Sequence, residues 1–210
     1  NMNLYRGCTH GCIYCDSRSE CYRIDDFDQV SVKFDALAIL RRELRSRRVR
    51  GIVGVGAMSD TYNPFERTLR VTRGALELIE EFGFGVSVDT KSTLITRDID
   101  VLSAIGAAGG AIAKITVTTA DDQLARIIEP HAPSPSERFA ALAPFLDDDL
   151  QKFYLSLLRS EARHYQDYLT LAQQVSDDDI SPRIKLFGEI EATLISTPDN
   201  EFRFHSGVPV

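Results

Sequence analysis

Three cysteines, Cys8, Cys12 and Cys15, fall within eight residues as C-x3-C-x2-C. Thiolate is the usual ligand of iron–sulfur clusters, and three from one short loop can hold one face of a metal centre. Three ligands on a four-iron cubane leave one iron open to a substrate or cofactor. Catalytic metal sites keep an open position on the same logic. Two other readings of the spacing stand beside this one: ordinary free thiols, or a zinc knot of four thiolates that recruits Cys21. Far along the chain, Glu161-Ala162-Arg163-His164 sets a carboxylate and an imidazole at i, i+3. On a helix that spacing puts both on one face, as a carboxylate-bridged di-iron site requires. A surface Glu and His is the alternative.

The elements that must position these groups change style along the chain. Asn3 to Tyr5, Ile52 to Gly56, Val86 to Val88 and Ile112 to Val117 read as strands. Asp35 to Arg48, Val71 to Phe82 and Asp98 to Ile105 read as helices between them, with Leu37, Leu40 and Leu44 on one face. Gly83 and Gly106 stand where helix stops belong. Four β/α units of this kind predict an α/β fold with a parallel sheet, the cysteine loop following its first strand. After residue 146 the pattern becomes helical. Leu150 to Gln173 reads as one long helix, and Ser181-Pro182 opens a second that runs to about Ile195. The acidic triplets Asp147–Asp149 and Asp177–Asp179 precede these helices, where carboxylates favour the positive end of the helix dipole.

Asn3-Leu4-Tyr5-Arg6-Gly7-Cys8-Thr9-His10-Gly11-Cys12-Ile13-Tyr14-Cys15 resembles the signature of radical S-adenosylmethionine (SAM) enzymes. Gly56 to Asp60, Thr90-Lys91-Ser92 and Glu129-Pro130 to Pro135 extend the likeness to the spore photoproduct lyase-like branch, over roughly residues 2–144. The resemblance implies a partial (β/α) barrel and a 4Fe-4S cluster on Cys8, Cys12 and Cys15, with S-adenosyl-L-methionine on the fourth iron. It further implies reductive cleavage of SAM to a 5′-deoxyadenosyl radical. By position, Tyr14 would lie along the adenine, Ser59 and Asp60 would meet the methionine part of SAM, and Lys91 would pair with its carboxylate. Read without the resemblance, Ser59 and Asp60 make a turn or helix cap, Lys91 is a solvated lysine and His10 is a loop residue. The lyase proper carries a hydrogen-donating cysteine where this chain has Ala57, so lesion repair by that route is not implied.

The later text has a different likeness. Ser136 to Pro144, Phe153 to Tyr165, Glu189-Ile190-Glu191 and Glu201 to Pro209 resemble the second half of the tRNA 2-methylthio-N6-isopentenyladenosine hydroxylases, ferritin-like di-iron proteins. That implies Glu137, Glu161 and His164 as ligands of a di-iron centre, with Glu191 supporting the bundle. A complete centre needs two such sets, so a second chain would have to supply the other. Residues 134–144 fit both families. The chain therefore reads as a hybrid: 1–144 a partial radical SAM barrel, 145–210 a helical segment like half a ferritin-like bundle.

Composition bounds the rest. At about 150 residues per domain, 210 residues make one large domain or two small ones. A hydrophobic content of 43% with 26% charged residues is globular, which excludes disordered and collagen-like classes. No run approaches the roughly 18 apolar residues of a membrane span, and the first residues carry no apolar signal core. A cytoplasmic protein with reduced thiols and no membrane partner is expected. The net charge of −7 lies mainly in residues 147–210, where twelve acids face six bases. Against that background six arginines between Arg41 and Arg50 form the one basic run, either a solvated helix or a phosphate-binding face. The substrate cannot be read from these residues. Nucleic acid, DNA or tRNA, is implied by the two resemblances alone. Open strand edges and half a bundle predict self-association.

Overall fold

The computed structural model describes residues 1–146, 149, 152 and 168–196. They fall into two compact units, one of Asn1–Ile13 with Ile24–Asp147, the other of Tyr14–Arg23 with Asp148–Val210.

The first unit is mixed α/β. Its strands are Tyr5–Arg6 (β1), Ser31–Val32 (β2), Ile52–Val55 (β3), Gly85–Thr90 (β4) and Ala111–Ile115 (β5). Its helices are Ala36–Ser46 (α1), Glu66–Leu69 (α2), Val71–Glu81 (α3), Ile99–Ala108 (α4), Asp122–Ile128 (α5) and Pro135–Leu142 (α6). Three strands form a parallel sheet in the order β3-β4-β5, with Val55 opposite Val88 and Thr90 opposite Ile115. The first predicted strand does not join that sheet as a fourth member. Met2 makes a single parallel bridge to Val55, and β1 then pairs antiparallel with β2, so the four-unit partial barrel reduces to three parallel strands and a separate ribbon.

Burial explains why these segments hold. Val86 and Val88 of β4 are fully enclosed, because helices and neighbouring strands cover the central strand. Leu40 and Leu44 of α1, Leu76 and Ile79 of α3 and Ile105 of α4 complete the core. The helix stop at Gly83 forms, its N–H donating to Glu80 O at 2.9 Å. Gly106 does not end its helix: α4 continues to Ala108 and stops at Gly109-Gly110.

A buried charge network fastens the loops after β3 and β4 to the core. Glu66, fully enclosed, accepts hydrogen bonds from the Tyr5 hydroxyl, from Thr72 N (2.6 Å) and from Arg97 Nη2 (3.0 Å). Arg97 also reaches Asp98 at 2.6 Å, and Arg73 reaches Asp98 at 3.1 Å and Asp100 at 2.7 Å. Burial, first, and the neighbouring Glu66 push the Tyr5 phenol far above its ordinary range, so it stays a donor.

Of the second unit, residues 168–175 are helical (α7) and Ser181–Ser196 form α8. Most of the predicted helix from Leu150 lies outside the described residues. The turn between α7 and α8 is closed by Gln173, which donates to Asp178 O (2.9 Å) and accepts from Ile180 N (3.1 Å). Asp179 Oδ1 accepts from Ser181 N at 2.9 Å, which holds its carboxyl below the usual range. That is the helix-start role expected of the acidic triplet. Among the described residues no helix is long and apolar enough to cross a membrane.

Replacing Glu66 with Leu leaves the Tyr5 hydroxyl and Thr72 N without their acceptor and leaves the Arg97 guanidinium to Asp98. Each buried donor left unsatisfied costs about 1–3 kcal/mol. Urea unfolding of Glu66→Leu is expected to show that loss; a midpoint unchanged from the parent protein would remove the network from the account of stability.

Candidate active site

The cysteine loop begins at a backbone conformation that favours glycine. Gly7 has φ +80°, and a Cβ there would lie 2.6 Å from Phe27 O and 2.7 Å from Gln29 O. The turn passes the chain from β1 into Cys8, whose N–H donates to Phe27 O at 2.8 Å. Further on, His131 N donates to His10 O (3.1 Å) and Ile13 N donates to Ile128 O (2.9 Å). Gly11, at φ +69°, leaves room for Pro130 and His131, which a Cβ would meet at 3.1 Å. The loop is thus pinned by backbone on both sides.

Its third support is the rim formed by the C-terminal ends of β3 and β4, where cofactors of parallel α/β proteins sit. Ser59 Oγ donates to Gly7 O at 2.6 Å. Asp60 is the hub. Its Oδ1 accepts from the Thr90 hydroxyl (2.6 Å) and Tyr62 N (2.9 Å), and its Oδ2 accepts from Lys91 N (2.8 Å). His10 Nε2 stands 3.1 Å from the same Oδ2, its N–H off the line of a hydrogen bond. Burial pushes the Asp60 carboxyl up, but His10, Thr90 and the Lys91 N–H together hold it below its ordinary value. His10 itself is 3% exposed, and neither its Nδ1 nor Thr9 Oγ1 has a hydrogen-bond partner.

Cys8 therefore sits within reach of a buried carboxylate, with Cys12 beside it. Cys12 is buried, and Cys8 is half-buried with the backbone N–H groups of His10 and Asp60 turned to its sulfur. Burial, with lesser contributions from the Asp60 charge and from Cys12, pushes the Cys8 thiol up to about 11. Among the described residues no three His, Cys, Asp or Glu side chains gather closely enough to hold a metal ion. Tyr14 and Cys15 belong to the second unit, where Cys15 O accepts from Arg18 N (3.2 Å) in the turn that opens at Asp16. Lys91 is half-buried at the end of β4. The structure thus brings Cys8, Cys12, Ser59 and Asp60 to one place with the backbone of Lys91. Glu161 and His164 lie outside the described residues.

Glu137, the remaining candidate ligand, is a helix cap. Ser134 Oγ accepts from Glu137 N (3.2 Å) while Glu137 Oε2 accepts from Ser134 N (2.7 Å), a reciprocal capping box at the start of α6. The next residue, Arg138, carries a role that sequence reading missed. Its guanidinium is wholly buried and donates to Pro133 O (2.8 Å), Thr116 O (2.8 Å) and the carboxylate of Glu129. Glu129 also accepts from the Thr118 hydroxyl at 2.6 Å. The Glu129–Arg138 pair fixes the 128–131 turn that grips the cysteine loop. Glu129-Pro130 stood out in the sequence, but nothing in its spacing named the cation.

Arg138→Leu leaves the Glu129 carboxylate enclosed without its cation, at a cost of about 3–5 kcal/mol. Native-state hydrogen exchange is expected to speed up at Ile13 and His131, the two amides bonded across that clamp. Unchanged protection at both would separate the pair from the loop.

Comparison with known proteins places these features in context. The radical SAM superfamily profile matches residues 2–147, and the profile of tRNA-(MS[2]IO[6]A)-hydroxylase (MiaE) matches residues 122–206. Over 73 residues the chain is 78% identical to the tRNA 2-(methylsulfanyl)-N(6)-isopentenyladenosine(37) hydroxylase of Salmonella typhimurium, covering 35% of this chain and 27% of that protein. Over 148 residues it is 32% identical to an uncharacterized protein of Mycobacterium tuberculosis, covering 67% of this chain and 44% of that one. Among solved structures, spore photoproduct lyase complexed with dinucleoside spore photoproduct aligns at TM-score 0.47 and 18% identity, over 85% of this chain and 52% of that chain. The chain spans 27% to 57% of the curated relatives it matches. With a profile match that covers the cysteine loop, the rim and the whole parallel sheet, the chain belongs to the radical SAM superfamily.

Proposed function

We propose that this chain is a radical SAM iron–sulfur protein in which Cys8, Cys12 and Cys15 hold a 4Fe-4S cluster and S-adenosyl-L-methionine takes the fourth iron. The observation that carries the reading is the superfamily match over the residues that make the cysteine loop and its rim. The donor set suits the group. Cys8 already receives two backbone N–H groups at its sulfur, and the loop encloses two polar atoms, His10 Nδ1 and Thr9 Oγ1, that the protein leaves unbonded. When bound, the cluster supplies the electron that cleaves SAM to methionine and a 5′-deoxyadenosyl radical.

The chain's own residues bind and orient. Asp60 and Ser59 have their polar atoms engaged with Thr90, Lys91 and Gly7, so we read them as positioning residues that shape the pocket for the methionine part of SAM. Lys91 takes the SAM carboxylate, at the strand end that Asp60 fixes, and Tyr14 takes the adenine. A thiol loaded with iron releases its proton, so the raised Cys8 thiol makes loading steeply pH-dependent. Ala57 stands where the lyase has its hydrogen-donating thiol, so repair by that route is no part of this reading. The substrate class is a nucleic acid, a reading supported by the name of the hydroxylase relatives. A cytoplasmic setting fits thiols that must remain reduced.

A second reading is favoured by the hydroxylase match over residues 122–206. There Glu137, Glu161 and His164 supply one half of a di-iron centre and a second copy of the chain supplies the other, since the complete site takes two such sets.

Anaerobic reconstitution with iron and sulfide is expected to give about four irons per chain, with 5′-deoxyadenosine formed on addition of SAM and a reductant. Cys12→Ala should abolish both; persistence of 5′-deoxyadenosine in that variant overturns the first reading. The second reading expects a dimer whose iron survives replacement of the three cysteines and disappears in Glu161→Ala. Monomeric protein with no iron once the cysteines are gone excludes it.

A further inference from the structure

Far from the rim lies a surface that neither site uses. The second half of α1 and the segment that follows carry Arg41, Arg42, Arg45, Arg47, Arg48 and Arg50, with Glu43 the one acid among residues 41–50. Two of the six are structural. Arg41 makes a bidentate pair with Glu81 (2.7 and 2.9 Å) and stacks on the Phe82 ring, and Arg50 Nε donates to Phe82 O at 2.9 Å. The other four, Arg42, Arg45, Arg47 and Arg48, are exposed, and their side chains have no hydrogen bond or ion pair among the described residues. Like charges at i, i+3 on a helix repel one another. A chain of net charge −7 could have neutralised them with its own carboxylates and does not.

We propose that Arg42, Arg45, Arg47 and Arg48 form a docking surface for the phosphodiester backbone of a nucleic acid. The patch is all arginine and no lysine, and the planar guanidinium fork matches phosphate oxygens two at a time. A membrane surface is the poorer fit, because a helix that lies on lipid offers it an apolar face. Here Leu40 and Leu44 of α1 are turned into the core, and the exposed apolar side chains Ile39 and Val49 stand singly, Val49 between Arg48 and Arg50 in the chain. No exposed aromatic ring stands among residues 41–50, so bases are neither stacked nor read, and the recognition is of backbone alone. The patch adjoins the N-terminal end of β3. The rim is at the other end of the sheet, roughly 17 Å away by a rise of about 3.3 Å per residue along β4. A polymer held here is anchored by a stretch remote from the reacting group, and the inference stands whether or not the rim carries a cluster.

The test is fluorescence anisotropy of the full chain with a labelled RNA hairpin and with a DNA duplex of the same sequence, across about 50–200 mM salt. Both polymers are expected to bind within a few-fold of each other. With about 0.9 counterions released per phosphate contact, four contacts give a slope of log affinity against log salt of about −3 to −4. The R42Q/R45Q/R47Q/R48Q protein should bind at least ~10-fold more weakly at the low-salt end, with its slope near zero. Its melting temperature should equal or slightly exceed the parent's, since the four side chains have no partners to lose and Arg42 and Arg45 repel each other. The corresponding quadruple lysine variant should keep the parent slope, which guards against loss of fold as the cause. Unchanged binding by the glutamine variant, no binding of either polymer by the parent, or stronger binding to phosphatidylglycerol vesicles than to both polymers each overturns the proposal.

Discussion

The candidate site rests on a single enclosed carboxylate. Asp60 ties the end of β3 to the end of β4 through Thr90 and Lys91, and stands against His10 in the cysteine loop. Three donors and one imidazole converge on two oxygens, which is why the group stays ionised in spite of its burial. Without that hub the side-chain link between the strand ends and the cysteine loop reduces to Ser59 Oγ on Gly7 O. An ionised hub makes the loop geometry a property of the sheet, not of the loop's own short sequence.

The same argument extends outward. The loop is gripped from its far side by the 128–131 turn, and that turn is held by Glu129 and Arg138. Arg138 lies in α6, within the stretch 122–147 that both family profiles claim. In this molecule that helix is built into the α/β unit, because its arginine reaches Thr116 beyond β5 as well as Glu129. The overlap of the two likenesses is therefore a segment with one defined packing role.

How much of this was legible in the sequence depends on the range of the interaction. The cysteine spacing was legible because Cys8, Cys12 and Cys15 are neighbours in the chain. Helix α1 was legible from the period of Leu37, Leu40 and Leu44, of which Leu40 and Leu44 are buried and Leu37 partly so, and α3 from the helical stretch Val71 to Phe82. The place of Asn3–Tyr5 was not, since an apolar triplet says nothing about which backbone it bonds, and β1 found β2 rather than the sheet. Gly106 misled because one glycine is tolerated inside a helix, and the stop came at the Gly109-Gly110 pair. Asp60 was singled out as a contact of a cofactor, and its partners within the protein, Thr90 and Lys91, lie thirty and thirty-one residues on. No local pattern encodes so distant a pairing.

The capping box at the head of α6 bears on the two likenesses the chain carries. One oxygen of Glu137 already closes the first turn by accepting from Ser134 N. Were iron to claim that carboxylate, the helix would lose its clasp, a change worth about 0.5–2 kcal/mol at such positions. The slackened turn sits one residue from the guanidinium that braces the thiol loop. Were Glu137 drawn off as the second reading asks, the brace on the thiol loop would slacken one peptide bond away, so the two proposed metal sites would work against each other.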